Sequence, residues 1–165
     1  METIAVYWEP KIRVYGLTSQ VGSSLYTVVF PFKRLSFWAE TVRRLGETGE
    51  EFLLVNLQTS SATSMLLCLV TAAGPGDGEI SRVLEKGLEN EEGTTLQIVR
   101  SVELIYLHGP HFQDRYGIAE AAARPLRLAD IPILSFGCAG TSVFIVVPEK
   151  SAIAATSCLS ETFVL

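Results

Sequence analysis

The stretch Val55–Val70 reads VNLQTSSATSMLLCLV, a mostly polar run from Asn56 to Ser64 passing directly into the apolar Met65–Val70. Two readings compete for the polar part: a turn between strands, or a binding edge for a small polar ligand. Laying Ile133–Pro148 (ILSFGCAGTSVFIVVP) beneath it sets Thr141-Ser142 under Thr63-Ser64 and VFIVVP under MLLCLV. An internal duplication is the simplest explanation. Ala62–Ser64 is then the tight connection between two core strands, and the question narrows to Asn56–Ser61.

Working outward, Ser24–Phe30 is rich in Val and aromatic residues, as strands are. In Lys33–Leu45, Leu35, Trp38, Val42 and Leu45 make a helical stripe. Strands are expected at Phe52–Gln58 and Ser64–Thr71, a turn at Gly74–Gly78 (GPGDG), a helix over Glu79–Asn90 and a strand over Thr94–Val99. The order β-α-β-β-α-β is the ferredoxin-like unit. The second copy gives strands at Val102–Leu107, Ile131–Phe136 and Thr141–Val147, a helix over Phe112–Arg124 that Pro125 stops or kinks, and a helix over Lys150–Phe163. Too few residues follow for a closing strand. Thr3–Trp8 and Ile12–Thr18 are strand-like, and the second is expected to supply it. The fold class is therefore α+β, with two interlocked ferredoxin-like βαββαβ units. The expected boundaries are 1–23 for the N-terminal strands, 24–100 for the first unit and 101–165 for the second.

Of the 165 residues, 48% are hydrophobic and 19% charged, which suits a globular chain with ample surface to bury. A net charge of −5 argues against a phosphate-binding face, so no nucleic-acid partner is expected. The apolar runs fall short of the ~18 residues of a membrane span, and Met1-Glu2 begins no leader. A soluble, cytoplasmic protein is the expectation. Cys68, Cys138 and Cys158 lack C-x-x-C spacing and read as buried free thiols.

Catalytic and metal motifs are weak. His108, His111 and Asp114 in HGPHFQD flank Gly109-Pro110 and read as a turn rather than a metal site. GPGDG lacks the Lys-Ser/Thr of a phosphate loop, and there is no G-x-S-x-G elbow. Glu89, Glu91 and Glu92 read as a solvated helix end. No cofactor, metal or catalytic residue is assigned.

FWAE (Phe37–Glu40), VNLQTSSATS (Val55–Ser64) and IPILSFGCAGTSVFIVVPE (Ile131–Glu149) together resemble the tandem ACT regulatory region of aspartokinases. In that family the first unit is inserted into the second, whose first strand precedes it. The resemblance implies a free-standing, non-catalytic module that binds a small amino acid at an ACT–ACT interface of a homodimer. It also implies an alternative, a ligand-free subunit docking on an aspartokinase-like catalytic chain. By motif, the ligand-binding positions are Leu35, Ser36, Phe37 and Trp38 at the helix start, with Val55, Asn56, Ser60, Ser61 and Ala62 on the strand edge. Helix-start N–H groups suit a carboxylate, and edge carbonyls and hydroxyls suit an ammonium group. The loop at His108–Gly117 is a weaker second site by the same resemblance.

Where lysine-sensitive members carry carboxylates, this chain has Asn56 and Ala62, and Ser36 replaces a glycine. Loss of both acceptor charges weakens charge-assisted bonds to a lysine side chain. A neutral amino acid, or no ligand, is expected instead. Calorimetric titration with lysine should show no tight, selective binding.

Overall fold

The computed structural model describes residues 11–72, 74, 76–88, 92–110, 112 and 116–165. The expected strand at Thr3–Trp8 lies outside them. In chain order the elements are β1 (Ile12–Arg13), β2 (Gly16–Pro31), a 3-10 turn (Phe32–Arg34), α1 (Leu35–Gly46), β3 (Phe52–Thr59), β4 (Ser64–Ala72), α2 (Asp77–Lys86), β5 (Thr95–His108), α3 (Ile118–Leu128), β6 (Ser135–Ala139), β7 (Ser142–Pro148), α4 (Ala152–Ser160) and β8 (Phe163–Val164). They divide between two compact units, Gly22–Val102 and a discontinuous one in which the chain before Gly22 joins Glu103–Leu165.

In the continuous unit the strand order is β3-β4-β2-β5. β4 pairs antiparallel with both neighbours, setting Leu67 opposite Val28 and Leu57, and Leu69 opposite Tyr26 and Val55. Directly opposed residues project to the same side of a sheet. Tyr26, Val28, Phe30, Met65, Leu67 and Leu69 thus share one side, where they bury Trp38 and Leu45 of α1 and Ile80 and Leu84 of α2. Each such side chain contributes about 1.5–3 kcal/mol relative to exposure.

One polar network is built into the same unit. The Asp77 carboxylate, in the first turn of α2, accepts from Ser24 Oγ (2.8 Å), Tyr26 OH (3.0 Å) and Thr71 Oγ1 (3.3 Å) and pairs with Arg100 (2.9 Å). Arg100 also donates to Tyr26 OH (2.7 Å) and Ser81 Oγ (2.7 Å). A negative charge at a helix N-terminus is favourable, and the guanidinium and hydroxyls satisfy its lone pairs.

The discontinuous unit buries Ile12, Val14, Ile105, Leu107, Val143, Ile145 and Val147 against Ile118, Ala122 and Leu126 of α3 and Ala152, Ala155 and Leu159 of α4. Here the carboxylate at the second helix arrives from a strand: buried Glu103 accepts from the Ala152 N–H, where Ser151 makes no side-chain cap. β6 and β7 form a hairpin in which the Phe144 ring lies over Gly137, so close that a Cβ there would meet it at 2.0 Å.

Several boundaries differ from the sequence expectations. Ile12–Thr18 and Ser24–Phe30 are not separate strands: β2 runs unbroken from Gly16, with Gly22 at φ 65 absorbing an irregularity glycine tolerates. Likewise β5 joins the two expected strands through Ser101 at φ 55. α3 starts at Ile118, after Gly117 at φ 83, and continues past Pro125 to Leu128. The proline leaves Ala121 without a helical donor, but the buried stripe Ile118, Ala122 and Leu126 holds the following turn in place. β6 begins at Ser135 rather than Ile131, because Ile131 N–H closes α3 on Leu126 O and Pro132 has no N–H to pair. α4 ends at Ser160, so Phe163 is not helical; Phe163 and Val164 pair in parallel with Ile12 and Arg13. All three cysteines are free, but only Cys68 is buried; Cys138 is exposed and Cys158 half-buried.

Burial raises the Tyr26 phenol above its ordinary value, against the opposing hydrogen bond from Arg100. A raised value favours the neutral phenol in the folded state. Its stabilisation is complete below the unfolded value of about 10 and is lost as pH rises through the folded one. Tyr26→Phe should cost about 1–3 kcal/mol near neutral pH through the lost hydrogen bonds to Asp77 and from Arg100, and the gap to wild type should narrow above about pH 10, as urea unfolding would measure.

Candidate functional site

The strand edge arises because no described strand pairs with the outer side of β3. No Asp, Glu, Lys, Arg or Pro occurs from Phe52 to Ala62 to discourage pairing. Val55 and Leu57, opposite Leu69 and Leu67, project to the helix-covered side yet remain 48% and 43% exposed. Asn56 and Gln58 project to the other side, opposite Cys68 and Leu66, where Asn56 Nδ2 donates to Gln58 Oε1 at 3.4 Å.

Ser60, Ser61 and Ala62 are exposed in the hairpin loop. Their local bonding is extensive: Ser60 and Ser61 N–H donate to Ser64 O (2.9 and 3.2 Å), and Ser61 Oγ accepts from Thr63 N–H (3.2 Å). Phe32 N–H donates to Thr63 O at 2.9 Å, tying the entry of α1 to this loop. The backbone thus brings one end of the nominated edge together with the nominated helix start. Val55 and Asn56 lie further along β3.

At the helix start, a 3-10 turn carrying Lys33 and Arg34 precedes α1, and Leu35 N–H is consumed by Phe32 O. The first turn of α1 contains no acidic residue, so the field there favours an anion. Ser36 is exposed and Leu35 half-buried. Phe37 is 40% exposed, with the Arg34 guanidinium 4.0 Å from its ring centroid. Trp38 is different: it is buried, packed edge-on to Phe37 at 5.4 Å and against Phe30 at 5.6 Å, with its six-membered ring against Gly87. It is a core residue. Leu57 was not nominated from sequence, although its signal was present: it follows Val55 by the two-residue period of a strand.

The other candidates carry less. His108 Nδ1 lies 3.1 Å from Ser142 Oγ and 3.3 Å from Thr141 Oγ1, and its ring packs on Tyr15 at 5.6 Å. His111 and Asp114 lie outside the described residues, as do Glu89 and Glu91. Among the described residues no group of His, Cys, Asp or Glu could hold a metal ion. No described helix is long and apolar enough to cross a membrane. A shallow concavity of about 420 Å³ lined by Arg127, Asp130 and Ile131–Ile133 occurs in the discontinuous unit, away from every nominated residue in sequence.

Paired ferredoxin-like units, the first inserted within the sequence of the second, define the tandem ACT class of fold. Solved structures bear this out. The regulatory subunit of aspartate kinase from Thermus thermophilus, in its ligand-free form, matches with a TM-score of 0.71 and 11% identity over 90% of this chain and 97% of that one. Aspartate kinase from Synechocystis matches with a TM-score of 0.78 and 12% identity over 94% of this chain and 27% of that one. E. coli aspartokinase III in complex with lysine and aspartate, in its T-state, gives 0.61 and 18% over 94% and 34%. At these identities the likeness is one of fold. No family model matches the sequence, and no curated protein does.

Because Trp38 is core and Ser61 is exposed, their substitutions should separate. Trp38→Ala should cost about 3–5 kcal/mol and lower Tm sharply. Ser61→Ala should change stability by less than about 0.5 kcal/mol, as chemical denaturation of the purified variants would measure.

Proposed function

We propose that this protein is a non-catalytic regulatory module that binds a small amino acid between the β3 edge of one copy and the α1 start of another, within a homodimer. The single observation that carries this reading is the pairing of an uncharged, unpartnered edge strand with a helix start that bears Lys33 and Arg34 and no acidic residue. A carboxylate is attracted to the basic helix start, while edge carbonyls and the Ser60 and Ser61 hydroxyls accept from an ammonium group. The lysine and aspartate bound to E. coli aspartokinase III support amino acids as the ligand class.

A second reading is favoured by the near-complete coverage of the Thermus regulatory subunit: a subunit that docks on an aspartokinase-like catalytic chain and takes no ligand. A thermal-shift panel of the proteinogenic amino acids separates the two, because a ligand that binds only the folded state raises Tm. The effector reading expects a response to a small subset and a dimer by sedimentation. A flat panel with retention of an aspartokinase catalytic chain on the immobilised protein supports the docking subunit instead.

A further inference from the structure

Which side of the sheet faces the ligand determines what that ligand can be. Leu67 and Leu69 lie in one buried cluster with Trp38, Leu45, Ile80 and Leu84, so the side chains opposite them on β3, Leu57 and Val55, project to the helix-covered side. Leu57 stays 43% and Val55 48% exposed in spite of this, because β3 is the last strand of the described sheet and no described strand flanks its outer side. Asn56 and Gln58 are turned away, amide to amide. When two sheets meet edge to edge with their helices on a common side, the helix start of one copy approaches the other on that helix-covered side. A molecule held there meets the methyl groups of Val55 and Leu57, and Asn56 faces the opposite side. From Phe52 to Ala62 there is no carboxylate to pair with a charged side chain.

We infer that the effector carries an uncharged aliphatic side chain, and that Val55 and Leu57 rather than Asn56 set this specificity. The inference rests on the effector reading given above. Burial of two aliphatic side chains against an aliphatic ligand is favourable, whereas an ammonium placed there loses its hydration with no carboxylate on β3 to pair with it.

Isothermal titration of the full chain with leucine, isoleucine, valine and methionine, beside lysine, threonine and aspartate, tests it. Saturable binding by the aliphatic set is expected, weakened about tenfold or more in Leu57→Ser and in Val55→Ser. Gln58→Ala, on the same side as Asn56 and outside the nominated positions, should bind within about twofold of wild type, and Asn56→Ala should retain saturable binding. Both β3 positions are half-exposed, so the unliganded variants should melt cooperatively within about 10 °C of wild type and well above the titration temperature, which excludes unfolding as the cause. Binding confined to lysine, threonine or aspartate overturns the inference and leaves the effector reading standing. Aliphatic binding that survives Leu57→Ser and Val55→Ser, or that is abolished by Asn56→Ala, also overturns it. No binding by any amino acid removes the effector reading and this inference together.

Discussion

Four residues of parallel pairing close the discontinuous unit. Ile12 N–H donates to Thr162 O at 2.9 Å and Val14 N–H to Val164 O at 2.8 Å, setting Ile12 beside Phe163 and Arg13 beside Val164. The core beneath depends on this closure, since Ile12, Val14 and Phe163 belong to one buried cluster with α3 and α4. Joining segments so far apart in sequence costs only slowly more entropy as the loop lengthens, and the inserted Gly22–Val102 unit, once folded, shortens the effective loop. A local, compact insertion is what makes so distant a pairing affordable.

The two units solve the same electrostatic problem by different routes. Each second helix begins without a side-chain cap from its N-cap residue, and each has a carboxylate at its start. In one it is Asp77, in the helix itself and neutralised by Arg100; in the other it is Glu103, reaching from β5 to the Ala152 amide. Both units meet the same physical requirement of negative charge at the helix N-terminus, from different sources.

Much of the fold was legible in the sequence because it rests on periodicity and on the Thr63-Ser64/Thr141-Ser142 correspondence. Element order followed from counting strands, but the count left the second unit without a closing strand, and Phe163–Val164 forms one that pairs with Ile12–Arg13. What was not legible lay in backbone geometry: the gaps between Thr18 and Ser24 and between Val99 and Val102 separate the expected strands, yet a single left-handed residue, Gly22 or Ser101, lets each strand continue. Pro125 read as a stop or a kink because propensity is local, and the burial of Leu126 that carries the helix past it is not. For the candidate edge, position along β3 was readable but side was not. The irregular register between Phe52 and Leu54, and the pairing with β4, determine which residues share a side with α1. Without that pairing, Asn56 stood out by its chemistry and Leu57 was passed over.

The contact between Phe144 and Gly137 has a spectroscopic consequence. The one Gly137 α-proton that stands where a Cβ would be points at the Cζ end of the Phe144 ring, close enough for the ring current to shift it, and Phe144 keeps this position only while β6 and β7 stay in register. In a proton spectrum this glycine should resonate well away from its chemical kin. Its signal is a built-in reporter on the order of the discontinuous unit, read without any label and independent of whether anything is bound at the β3 edge.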